Sequence, residues 1–143
     1  MPALPWTNGP HQPAPGEELH VLTSTLPLTH YRDVPRFLRW TMKIRRQLAT
    51  AEGCAGYSLD ARLLRKTFFT LSAWQDIQAM NRFVRSEQHA KMLADMAGRL
   101  GQSTFVESSI PGTGLPLDWA AARQRLVDAR QPPSDVDSDT GAR

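Results

Sequence analysis

Cysteine is all but missing from this chain: Cys54 stands alone among 143 residues. One cysteine excludes an internal disulfide framework and a thiolate metal cluster within one chain, and it points to a reducing cytoplasm. Long apolar runs are missing too, so nothing reads as a membrane span. Met1 to Glu17 carry neither a basic stretch nor an apolar one, and do not read as a signal peptide. Charge of one sign is scarce, with 17 Lys and Arg against 14 Asp and Glu for a formal +3. Such a balance gives little general pull on nucleic acid or an acidic membrane. The four histidines, His11, His20, His30 and His89, form no local pair with each other or with a carboxylate, so no metal site is read. Neither a glycine-rich phosphate loop nor a GxSxG elbow is present. The expectation is a soluble cytoplasmic protein without nucleic-acid or membrane partners.

Proline is plentiful at the ends. Pro2, Pro5, Pro10, Pro13 and Pro15 mark residues 1–17 as a disordered arm, and residues 131–143, rich in Pro, Ser and Asp, read as a disordered tail. Residues 18–130 are left as one domain, and 41% hydrophobic content suffices for a single modest core. Arg32, Arg36, Arg39, Lys43, Arg45 and Arg46 gather in one helix, read as a solvated face because no aromatic platform accompanies them.

The elements follow from pattern. Leu19 to Leu26 is a strand stopped by Pro27. A helix from about Val34 to Thr50 repeats Phe37, Trp40, Ile44 and Leu48 at helical spacing, with Asp33 as N-cap and Gly53 as the stop. Cys54 to Leu63 and Lys66 to Trp74 form a hairpin. A helix from near Asp76 carries Met80 and Phe83, and Ser86 caps another bearing Met92 and Met96. Ser103 to Ile110 is the last strand, and Asp118 caps a closing helix from Trp119 to about Ala129. The order β-α-β-β-α-β is the ferredoxin-like split arrangement, an α+β sandwich with an added C-terminal helix. One face of its sheet needs a cover.

Two stretches carry a family resemblance: the strand Arg65-Lys66-Thr67-Phe68-Phe69-Thr70-Leu71-Ser72-Ala73-Trp74, ending in Trp, and Phe83-Val84-Arg85-Ser86-Glu87-Gln88-His89. The chain resembles the antibiotic-biosynthesis-monooxygenase-like family of dimeric α+β barrels. The turn Pro111-Gly112-Thr113-Gly114-Leu115-Pro116 before an Ala- and Arg-rich helix looks like an uncharacterised subgroup of it. The resemblance implies a homodimer with sheets face to face, and a pocket between each sheet and its helices. Characterised relatives include cofactor-free oxygenases that convert aromatic polyketides to quinones, and haem enzymes. In the haem degraders a Trp and an axial His occupy the places that Phe83 and Leu93 hold here.

His89 falls at the third position of a helix, where the dipole disfavours imidazolium and leaves a neutral base or haem ligand. The alternative is a local capping histidine. His20 and Tyr57, on the first two strands, complete the candidate catalytic set; Trp74, Phe69, Phe83 and Trp40 are the candidate substrate-binding residues. Each is also a plausible core or surface side chain. Two functions remain open. One is a cofactor-independent monooxygenase acting on an aromatic or polyketide-like molecule. The other is a non-catalytic dimer that binds a small apolar molecule. Haem on His89, as an oxygenase or dehydratase, stands as a third.

Overall fold

The computed structural model describes residues 4–130. Nine elements follow in order: β1 (Thr7–Asn8), β2 (Glu18–Pro27), α1 (Val34–Leu48), β3 (Cys54–Arg62), β4 (Thr67–Trp74), α2 (Ile77–Val84), α3 (Glu87–Asp95), β5 (Thr104–Pro111) and α4 (Trp119–Arg130). The strands form one antiparallel sheet in the order β1-β3-β4-β2-β5. Without β1 this is the ferredoxin-like arrangement expected from the element order.

Register assigns each side chain to a face. Leu22 pairs with Ser72, Leu26 with Phe68, Tyr57 with Ser72 and Ala61 with Phe68, so these residues share the face beneath α1, α2 and α3. Phe68 is fully buried there, edge-on to Phe37 of α1 with ring centroids 4.8 Å apart. Residues one step along each strand point to the opposite side. On that outer face Leu19, Val21, Leu71 and Ala73 pack with Ala122 of α4, with Trp6 and Trp119 at the border.

The outer face therefore has its cover within the chain. The C-terminal helix expected from the sequence, α4, lies on this face. Its N-terminus is capped as expected, with Ala120 N–H donating to Asp118 Oδ1 at 3.1 Å. Arg123 of α4 reaches Asp60 of β3, which is fully buried and also accepts from Arg62 Nε at 3.0 Å.

From residue 4 onward the proline-rich arm read over residues 1–17 runs along β3. Leu4, Gly9 and His11 donate backbone N–H groups to the Leu59, Ala55 and Cys54 carbonyls at 2.8 to 3.0 Å, and β1 pairs with β3. Prolines at 5 and 10 fall beside the bonded positions of this edge segment, where a missing N–H costs nothing. Gly56 makes the close approach possible: a Cβ there would meet the Trp6 ring at 2.3 Å. Residues 131–143, expected to be disordered, lie outside the described residues.

Two caps differ from expectation. Asp33 does not cap α1; its Oδ1 accepts from Arg99 Nη1 at 2.9 Å. Ser86 sits at the N-cap of α3 but makes no capping bond, because its hydroxyl accepts from Gln47 Nε2 at 2.8 Å. That contact fastens α3 to the end of α1.

Candidate functional site

Between the inner face of the sheet and the three helices lies a cavity of about 580 Å³. Small side chains leave it open: Ser24, Thr70 and Ser72 occupy the sheet where larger residues would fill the space. Their hydroxyls satisfy one another or a neighbour. Ser24 Oγ bonds Thr70 Oγ1, and Ser72 Oγ accepts from Trp74 Nε1 at 2.9 Å. Polar groups at the floor are thus paired inwardly and the lining is mostly apolar, as small-molecule sites are. The mouth is apolar as well. Ile77, Leu93 and Phe105, three of the exposed large hydrophobic residues, all line the cavity.

Trp74, Phe83 and His89 form a contiguous series of rings along one wall. Trp74 closes β4 and is 1% exposed. Its ring lies 5.3 Å from that of Phe83, which is 5.6 Å from the imidazole of His89, edge to face. His89 occupies the third residue of α3, as its spacing from Ser86 required. Burial pushes its pKa below the ordinary imidazole value; the Val84 carbonyl, close by, pulls the other way. No aligned hydrogen bond joins them, and His89 Nδ1 is buried without a partner among the described residues. The local-capping alternative for His89 finds no bond to Ser86.

Of the seven candidate residues, four converge: His89, Tyr57, Trp74 and Phe83 all line the cavity. Three do not. His20 lies on the inner face near the start of β2 and bonds Glu107 Oε1 at 2.7 Å; Glu107 lines the cavity and His20 does not. Phe69 pairs with Thr25 and Asp60, so alternation sends it to the outer face. Trp40 is outside the cavity lining, between α1 and α3, donating Nε1 to Asp95 Oδ2 at 2.6 Å. That bond, with Arg36 on the other oxygen at 2.8 Å, holds the Asp95 carboxyl below its usual range. Helical spacing alone could not tell which side of α1 Trp40 would take.

Sequence reading missed Arg45 and Asn81, both of which line the cavity. Arg45 had been counted with the solvated arginines of α1. Cys54 is buried, and its thiol is pushed up to about 12, mainly by burial, which makes it a poor nucleophile. Among the described residues no cluster of three or more His, Cys, Asp or Glu side chains could hold a metal, and no helix is long and apolar enough to cross a membrane.

No family model matches the sequence and no curated protein matches it. Solved structures do match in shape. A conserved protein from Methanosarcina mazei aligns with TM-score 0.57 and 14% identity, over 64% of this chain and 92% of its own. A protein from Shewanella oneidensis gives 0.58 and 10% identity, over 75% and 98%. A structure described as an antibiotic biosynthesis monooxygenase gives 0.56 and 14% identity, over 63% and 95%. At such identities the likeness is one of backbone: this chain has the ferredoxin-like α+β fold found in antibiotic-biosynthesis-monooxygenase-like proteins.

Proposed function

We propose that this chain is a monooxygenase-like protein that oxidises an electron-rich aromatic or polyketide-like molecule without a cofactor. One observation carries the reading: an imidazole biased towards its neutral form faces an open, mostly apolar cavity beside two aromatic rings. The apolar walls fit a flat substrate, and Trp74 with Phe83 offers rings for it to pack against. Trp40 and Phe69, which could have filled the space, are elsewhere, so the cavity stays open.

The chemistry needs a base and a positioned substrate, with molecular oxygen as co-reactant. Anthrone is a suitable probe. His89 takes a proton from its activated carbon, and the resulting carbanion gives an electron to O2. The two radicals join through a new C–O bond, and the imidazolium returns its proton to the peroxide. Loss of the remaining C–H proton with cleavage of the O–O bond releases water and leaves a carbonyl. Anthrone and O2 thus become anthraquinone and water, with all four electrons drawn from the substrate. The tautomer with its proton on the buried Nδ1 leaves Nε2 as the acceptor. Haem in the manner of the haem degraders does not fit, because Phe83 and Leu93 stand where that chemistry needs Trp and His.

The test is oxygen consumption with anthrone, read against buffer and against His89→Phe. The reading predicts turnover by the wild-type chain, and in the variant a loss of about a hundredfold, the ordinary contribution of a positioned base. Binding without turnover would favour the non-catalytic small-molecule carrier. A Soret band in protein purified from its host would replace the cofactor-free reading.

A further inference from the structure

The cavity crosses the sheet, and its two ends differ in charge. At the β5 end sit Phe105 and Glu107, the latter paired with His20. At the β3 end sit Tyr57, which is 5% exposed, and Arg45 of α1, whose guanidinium lies 5.9 Å from the Tyr57 ring centroid. Four other half-buried arginines have carboxylate partners: Arg36 on Asp95, Arg99 on Asp33, Arg62 and Arg123 on Asp60. Arg45 has none among the described residues. It makes one hydrogen bond, to Thr7 Oγ1 at 3.4 Å, and a guanidinium has five N–H donors. The remaining donors are free at the edge of an apolar space, where an ion pair is stronger than in water.

We propose that the cavity selects an elongated amphipathic anion, with its carboxylate, sulfonate or enolate head at Arg45 and Tyr57 and its apolar body extending towards the β5 mouth. This deepens the binding reading above and rests on it. Three strand spacings separate β3 from β5, about 14 Å at the usual interval, which fits a body of two or three fused or linked rings. Glu107 at the opposite end repels the head and so fixes its direction. Thr7 gives the N-terminal strand a part in the site, because its hydroxyl steadies the guanidinium over Tyr57.

Two fluorescent dyes of one shape test this: 8-anilinonaphthalene-1-sulfonate and the uncharged N-phenyl-1-naphthylamine. The full chain should bind the sulfonate about tenfold more tightly, the difference one charge-assisted contact makes. Arg45→Gln should abolish that preference and leave the uncharged dye within about twofold of wild type. Arg39→Gln, on the solvent side of the same helix, should change neither. Equal binding of the two dyes by the wild-type chain would overturn the anion subsite while leaving the cavity as a binding site. Equal weakening of both dyes by Arg45→Gln, or loss of sulfonate binding in Arg39→Gln, would also overturn it. Failure of both dyes to bind would sink the cavity reading itself.

Discussion

The indole N–H of Trp119 donates to Ser58 Oγ at 3.0 Å, and that hydroxyl donates in turn to the Leu4 carbonyl at 2.7 Å. One serine on β3 thereby links the C-terminal helix to the N-terminal segment. Both additions to the ferredoxin-like unit thus make side-chain or backbone bonds to β3. They bear on different faces of the site: α4 closes the outer side of the sheet, and β1 presents Thr7 to Arg45 on the inner side.

The seating of the N-terminal segment depends on Gly56. A Cβ there would overlap the rigid Trp6 ring, which cannot yield as a flexible side chain would. Gly56→Ala is expected to cost about 1–3 kcal/mol, the range for overpacking. Amide exchange at Gly9 and His11, whose N–H groups bond β3, should accelerate more than exchange in β4. Trp6→Ala in the same chain should recover part of the loss, since it removes the clash. An additive double variant would contradict the contact.

Asp60 sets the docking of α4. Its carboxylate is fully buried, whereas Arg62 and Arg123 are each more than a third exposed and can turn to water. Asp60→Ala should therefore lower the denaturant stability by about 1–3 kcal/mol, rather than the larger loss of a wholly buried ion pair. Arg123→Ala should cost less, because Arg62 still neutralises Asp60. The two changes together should be less than additive.

Removing the cover from the outer face should restore the need for a partner. Leu126, on α4 itself, is 3% exposed. Leu126→Glu is expected to loosen the helix and expose Leu19, Val21 and Leu71, with a gain in self-association by sedimentation velocity. An unchanged distribution of species, together with unchanged stability, would show that α4 is not what shields this face.

His89 predicts a pH dependence with a definite sign. Its folded pKa lies below the ordinary value, so the unfolded chain binds a proton more readily. The contribution of His89 to stability is thus complete above the unfolded imidazole pKa, about 6.5. It declines as pH falls from there towards the folded pKa. His89→Phe should flatten the stability profile in that window, and ring NMR of the wild-type chain should place the His89 midpoint below those of solvated histidines. A midpoint above the free value would contradict the buried neutral base.

Periodicity made the main elements legible. Phe37 and Ile44 on α1, the alternation from Phe68 to Trp74, and the Ser86 to His89 spacing all stand where the pattern put them. Faces were readable within a strand and not between elements. Phe69 and Trp40 are as apolar as their neighbours, and only the register of β4 and the rotation of α1 send them away from the cavity. At the N-terminus composition marked only the prolines, and proline counts do not reveal that an edge strand tolerates missing donors. Arg45 was hidden among four other cations of α1; nothing local marks it as the one facing Tyr57.

The central claim is that the space between sheet and helices admits an aromatic molecule. Methionine methyls report on it directly, since Met80 and Met92 line the cavity and Met42 stands exposed on α1. Titration of 1-naphthol into chain labelled with 13C at the methionine methyls should shift the Met80 and Met92 resonances saturably and together, leaving Met42 in place. Stationary Met80 and Met92 signals at saturating naphthol, or a shift of Met42 as large as theirs, would contradict the account.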